Sequence, residues 1–217
     1  MKIRNAICSL LLAAGLLALI SSTTSANDVE SIIKKVRSTY DKIKSLETHF
    51  VQVSVWSLAG EEQRSEGKLY LQEKNNYRVE TDTQLIVTDG TTVWTFAKDR
   101  NQVIIDRLTE SKENPLPREI LLKYTKNSRK ELLGETQVGG TPCYEIVFLP
   151  EDDDAFIVST RAWISKKDWL AVKIEQEDVN ENITRYELSQ IKINPPLDKA
   201  LFSFTIPATA EVVDLRQ

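Results

Sequence analysis

The chain reads as a mostly β protein of the α+β class: about eleven antiparallel strands in one curled sheet, with helices against one of its faces. Three observations predict this. Apolar residues recur at steps of three and four from Asp28 to about Leu46, the signature of one amphipathic helix. From Thr48 onward the period changes to two and, with one interruption, stays there to Ile193. The links between the alternating runs are short, which requires antiparallel neighbours, because parallel strands need crossovers of about a dozen residues or more.

The first residues speak to compartment. Lys2 and Arg4 precede an uncharged apolar run from Ala6 to Ile20, and Ser21–Thr24 and Thr24-Ser25-Ala26 follow. This is the pattern of a secretory signal peptide over 1–26, cleaved after Ala26, with an apolar run too short for a comfortable membrane span. Residues 27–217 are expected to form a single exported domain without stable membrane insertion. The formal charge is −4, and loss of Lys2 and Arg4 makes it more negative. That argues against nucleic acid and against a constitutively bound anionic membrane. Of the two cysteines only Cys143 lies beyond the leader, so no intramolecular disulfide is expected and packing alone must hold the core.

In the helix, Val29, Ile32, Ile33, Val36, Tyr40, Ile43 and Leu46 form the greasy stripe, Asn27 or Asp28 offers a cap, and Lys34, Lys35, Arg37, Lys42 and Lys44 coat the solvent side. Strands are then expected at Thr48–Leu58, Gln63–Gln72 and Tyr77–Thr81. Leu85–Phe96 is the clearest hairpin, with Asp89-Gly90 as the two positive-φ positions of a tight turn, so that Thr88 faces Thr91 and Leu85 faces Trp94. With period two, Leu85, Val87, Trp94 and Phe96 share one strongly apolar face, and Gln84, Ile86, Val93 and Thr95 share a mixed one. Gln102–Arg107 follows.

Between Leu108 and Arg129 the alternation stops. Pro115 and Pro117 punctuate a polar stretch, and Arg118–Tyr124 reads as a short helix with Ile120, Leu121 and Tyr124 on one side. An insertion of this length in a meander suits a lid or binding loop. Alternation resumes at Glu131–Val138, Cys143–Leu149, Ala155–Ser165, Trp169–Asp178 and Asn182–Ile193. Asn194-Pro195-Pro196 ends the last of these, and Phe202–Pro207 closes the pattern.

Catalytic residues are scarce. His49 is the single histidine and alternates within an apolar strand, so neither a His/Cys metal set nor a Ser-His-Asp triad can be assembled. Asp152-Asp153-Asp154 lacks the spaced ligands of a calcium loop and reads as a solvated turn. No enzyme activity, metal or cofactor is expected. The positive signal is apolar: a sheet of about eleven strands offers more greasy area than two helices can cover tightly. Curling around a cavity resolves this, and each acyl methylene moved from water into it gains about 0.8 kcal/mol. The candidate lining is Leu69, Leu71 and Val79 with Leu85, Val87, Trp94 and Phe96, flanked by Trp56 and Tyr77. The candidate lid residues are Ile32, Val36, Ile120 and Leu121.

These residues resemble a family, the periplasmic outer-membrane lipoprotein carrier proteins, LolA. The likeness rests on the leading helix followed by Phe50-Val-Gln52, on Gly67-x-Leu69-Tyr-Leu71, Tyr77-Arg78-Val79 and Leu85-Ile-Val-Thr-Asp-Gly-Thr-Thr-Val-Trp94, and on Gln102-Val103, Leu201-Phe202-Ser-Phe204 and Pro207. It spans essentially the whole chain after the leader. The resemblance implies an unclosed antiparallel β-barrel with a helical lid on its concave face, and a monomer. It also implies acylated lipoproteins as cargo, an inner-membrane ABC exporter as donor and an outer-membrane acceptor. One departure stands out: where the family commonly has Arg-Pro after the Gly-x-Leu strand, the arginine helping to latch the lid, this chain has Glu73-Lys74. The latch is either rebuilt with Lys74 or Arg78, or absent. The alternative reading is a periplasmic lipid or lipoprotein sensor of the same fold that regulates an envelope stress response, which would normally bring a second domain.

Overall fold

A computed structural model describes residues 26–73, 75–108 and 127–216. The leader, Lys74, the proposed lid residues Ile120 and Leu121, and nearly all of the Leu108–Arg129 insertion lie outside the described residues.

Helix α1 spans Ala26–Lys42, with Asp28 in its first turn and Lys42 in its last, each at the end where its charge suits the helix dipole. The strands follow as β1 (Ser45–Trp56), β2 (Glu61–Gln72), β3 (Asn76–Thr81), β4 (Gln84–Asp89), β5 (Thr92–Ala97) and β6 (Gln102–Arg107). After the insertion come β7 (Ser128–Val138), β8 (Thr141–Pro150), β9 (Ile157–Ser165), β10 (Ala171–Asp178) and β11 (Ile183–Ile193). A 3-10 turn, Lys199–Phe202, precedes β12 (Glu211–Asp214).

All twelve strands form one sheet in the order β12-β6-β5-β4-β3-β2-β1-β11-β10-β9-β8-β7. Its two edges, β12 and β7, are not paired to each other, so the sheet is unclosed. The chain enters at the centre with β1 and meanders outward to β6. It restarts at the far edge with β7 and meanders back until β11 pairs with β1. Every pairing is antiparallel except the last: β12 returns to lie parallel to β6. The sequence pattern does not show this strand, because a four-residue edge element is too short to display a period.

The hairpin over Leu85–Phe96 is displaced by two residues from the expected register. Thr88 pairs with Val93, Val87 with Trp94 and Leu85 with Phe96. The turn is centred on Gly90-Thr91, with Gly90 at φ +94, whereas Asp89 keeps a negative φ. Its Oδ1 instead accepts the N–H groups of Thr91 and Thr92, each at 2.9 Å. The aspartate therefore acts through its side chain, as an Asx turn. A slip of two leaves every side chain on its expected face, since the strand period is two.

Of the expected helix stripe, Val29, Ile32, Ile33, Val36 and Tyr40 are buried against one face of the sheet, whereas the helix ends at Lys42, so Ile43 lies beyond it and Leu46 belongs to β1. That face contributes Leu46, Leu69, Leu71, Tyr77, Ile86 and Val93 from one half, and Ile146, Phe148, Ala162, Ile164 and Ile174 from the other. Among the described residues no helix is long and apolar enough to cross a membrane.

Candidate functional site

Register decides which residues face the helix. Leu69 pairs with Val79, Leu71 with Tyr77 and Val79 with Ile86, so these lie together on the helix-bearing face. On the other half of the sheet, Tyr186, Ile174, Ala162, Ile146 and Leu132 follow one another across β11 to β7 on the same face. Helix α1 packs on this layer. Near its start Glu30 meets Lys130 of β7 at 3.1 Å. Near its finish the Tyr40 hydroxyl accepts the N–H of Ala171, at the start of β10, at 3.4 Å. Between them the Lys35 ammonium sits 4.2 Å above the Trp169 ring, which itself stacks on Tyr144 at 5.9 Å. This cation–π contact ties the helix's solvent edge to the sheet.

Beyond the helix the apolar layer continues. Phe50, Val79 and Tyr186 pack against the core but are only partly buried. Trp56, on the same face as Leu46 and Phe50 along β1, is 39% exposed at the strand end. On the same face Gln176 donates to Thr160 Oγ1 at 3.3 Å, both side chains being buried. Thr48 and Thr88 are also buried on this face, each hydrogen-bonded through its Oγ1, so the arrangement is a greasy trough with paired polar contacts in its wall.

The proposed lining therefore divides. Leu69, Leu71, Tyr77 and Val79 lie with Ile32 and Val36 in the helix-bearing layer. Leu85, Val87, Trp94 and Phe96 share one face, as expected, but it is the opposite one: Val87 pairs with Arg78, and Leu85 with Glu80, whose neighbours Val79 and Ile86 point to the helix. These four do not join the other lining residues. Their cover is the C-terminal segment, with Phe204 against Trp94 (ring centroids 6.4 Å) and Phe96 (6.1 Å) and with Phe202 buried against β3 and β4. Ile86 and Val93, assigned to the mixed face, belong to the core instead. The signal that could have found this was Phe202-x-Phe204 itself, two aromatics after the last long strand that need a greasy surface of their own.

The latch position also resolves. Glu73 is exposed in the β2–β3 turn at φ 58, with its backbone N–H donating to the Lys44 carbonyl at 2.7 Å. Arg78 lies on the face away from α1, its guanidinium bound to Glu80 at 3.1 and 3.2 Å, so it does not replace a helix-side latch.

The rest of the opposite face, over β8 to β11, is laddered with charge: Arg161 meets Glu145 at 3.4 Å and Arg185 meets Glu175 at 2.9 Å. These ion pairs surround a small buried cluster of Cys143, Trp163 and Val172 on that face, whereas the larger apolar layer lies on the helix-bearing side. Among the described residues no group of three or more His, Cys, Asp or Glu could hold a metal. A shallow cavity of about 590 Å³ lies elsewhere, between the Gly90 turn and the Asp214–Arg216 pair.

Comparison with known proteins adds to this geometry. The family described as outer membrane lipoprotein carrier protein LolA matches residues 41–205. An uncharacterized protein of Methanocaldococcus jannaschii is 23% identical over 216 residues, covering 98% of this chain, which spans 61% of that protein's length. The outer-membrane lipoprotein carrier protein of Methylobacillus flagellatus is 26% identical over 192 residues, covering 87% of this chain and 89% of that one. Among solved structures, an uncharacterized conserved protein from Thermus thermophilus superposes with a TM-score of 0.57 at 14% identity, covering 86% of this chain and 99% of that one. At that identity the likeness shows the fold alone.

Proposed function

This chain belongs to the outer membrane lipoprotein carrier protein LolA family, and from that premise we propose that it is a periplasmic carrier that takes up the acyl chains of lipoproteins and moves them from the inner to the outer membrane. The observation that supports this most is the trough on the helix-bearing face. Its apolar layer extends from the buried Leu69, Leu71 and Tyr77 to the half-buried Phe50, Val79 and Tyr186, and along β1 Gln52 and Ser54 separate it from the exposed Trp56 at the strand end. An acyl chain laid there removes from water both its own methylenes, at about 0.8 kcal/mol each, and the side chains the helix leaves uncovered. Such binding needs no specific headgroup contact, which suits cargo that shares lipid tails and differs in its protein part. Handover proceeds from an ABC exporter in the inner membrane to an acceptor in the outer membrane, and the protein acts by binding, not by catalysis.

The lining assigned here is Phe50, Leu69, Leu71, Tyr77, Val79 and Tyr186, with Trp56 at the open end and Ile32 and Val36 on the covering helix. The test is to incubate the purified mature protein with energised spheroplasts and look for newly made lipoproteins in the supernatant, in a one-to-one complex with it. Release by the wild type and its loss in Phe50→Glu, with binding of a fluorescent acyl probe lost in parallel, is the expected outcome. No release and no probe binding would mean that the greasy face is simply core.

A further inference from the structure

The end of the sheet where β1 finishes carries an unusual surface. Three connections meet there: 57–60 between β1 and β2, 151–156 between β8 and β9, and 179–182 between β10 and β11. They are bound to one another. Ser57 Oγ donates to the Glu181 carbonyl, the Asn182 Oδ1 accepts the N–H of Ser57 at 3.2 Å, and Val179 N–H donates to the Phe156 carbonyl at 3.0 Å. Turn tips are ordinarily polar, yet these hold Leu58 at 94% exposure, Phe156 at 61% and Val179 at 55%, with Val158 and Trp56 exposed beside them. Solvent-facing apolar groups gathered this way mark an interaction surface.

The charge within the three turns has one sign. Glu61 and Glu62 follow the first turn, 151–154 is Glu-Asp-Asp-Asp, and Glu177, Asp178 and Glu181 frame the third, while 56–62, 150–158 and 177–183 contain no lysine or arginine. Apolar centres with polar rims are the anatomy of protein interfaces, and here the three turns themselves carry only acidic charge, with Arg64 and Arg129 further along the adjoining strands. An anionic lipid surface would be repelled, and so would a second copy presenting the same end.

We propose that this end is a docking surface for a protein partner whose contact site is an apolar side chain or short apolar stretch framed by lysine and arginine. Leu58, Phe156 and Val179 enter the partner's apolar centre, and the three acidic turns meet its basic rim. The surface meets the open end of the trough at Trp56, and the inference rests on the three turns, whatever the trough holds.

The test uses the full mature chain and two fluorescent peptides, an amphipathic helix of leucine and lysine and its leucine–glutamate counterpart. The lysine peptide is expected to bind at low salt and to weaken by about tenfold as ionic strength rises through the physiological range. Amide shifts should be confined to the three turns. Leu58→Ser with Val179→Ser, and separately Asp152→Asn with Asp153→Asn and Asp154→Asn, should each lower affinity by about tenfold with unchanged melting. Neutralising Glu73 and Asp168, at the opposite end, should leave it unchanged. Equal binding of the glutamate peptide, indifference to the turn variants, binding to phosphatidylglycerol vesicles, or self-association abolished by Leu58→Ser would each overturn the proposal. Acyl-probe binding, measured on the same variants, is expected to persist, so failure here and failure of the carrier reading give different results.

Discussion

The rings of Trp94 and Phe204 lie 6.4 Å apart, tilted by 35°, on the face of the sheet away from α1. They join the middle of the Leu85–Phe96 hairpin to a residue more than a hundred positions later in the chain. That contact gives the hairpin's aromatic face its own cover, separate from the helix. Phe204→Ala should therefore destabilise the fold by about 2–3 kcal/mol, since the side chain is partly buried, and leave acyl-probe affinity unchanged. Denaturant unfolding and probe titration check this; a variant with native stability and weakened probe binding would put the ligand on the wrong face here.

Gly67 is paired with Phe50 on one side and Thr81 on the other. A Cβ added there would meet the Glu80 carbonyl oxygen at 2.0 Å. Backbone cannot give way as a flexible side chain can, so Gly67→Ala is expected to cost about 3 kcal/mol or to prevent folding. Expression yield and the urea midpoint report it.

Glu73 holds φ 58, in the left-handed region that costs a residue with a Cβ about 1 kcal/mol. Glu73→Gly should raise Tm by about 2 °C, given the usual scaling for a chain of this length. If the exposed carboxylate has taken over a latching role, the same variant will instead change the rate of acyl-probe release. Thermal melting and a stopped-flow release trace separate the two.

Asp214 of the edge strand β12 is clamped by the Arg216 guanidinium, with contacts at 2.6 and 2.9 Å, and its carboxyl is held down at about 2 from an ordinary 3.8. A depressed folded-state value means that the contribution is fully present above about 3.8 and is lost as pH falls through about 2. Hydrogen exchange of the β12 amides should accelerate in that acid window, and Asp214→Asn should remove this pH dependence.

Cys143 is fully buried in β8, beside Trp163 and Val172, and burial pushes its thiol up from the ordinary 9.0. In the folded protein at pH 8 it should resist iodoacetamide, because the thiolate is the reactive form. Reaction should appear only with unfolding, so the alkylation rate against urea should track the unfolding curve. Rapid labelling of the native chain would show that β8 opens locally.

The sequence by itself determined the helix stripe, the strand succession and the sharing of one face by Leu85, Val87, Trp94 and Phe96, because these follow from local periods of 3.6 and two. Even the displaced hairpin register left that sharing intact. Only the tertiary structure decided which of the two faces meets α1. Alternation sorts residues into two sets without labelling either as inside, and both sets of this hairpin are greasy enough to be buried. The label comes from partners far along the chain: Phe202 and Phe204 cover one face, while Ile32, Val36 and the β8–β10 layer claim Leu71, Val79 and Ile86 on the other. Likewise Leu58, Phe156 and Val179 are ordinary residues far apart in sequence, and become one surface because the antiparallel meander returns three turns to the same end of the sheet.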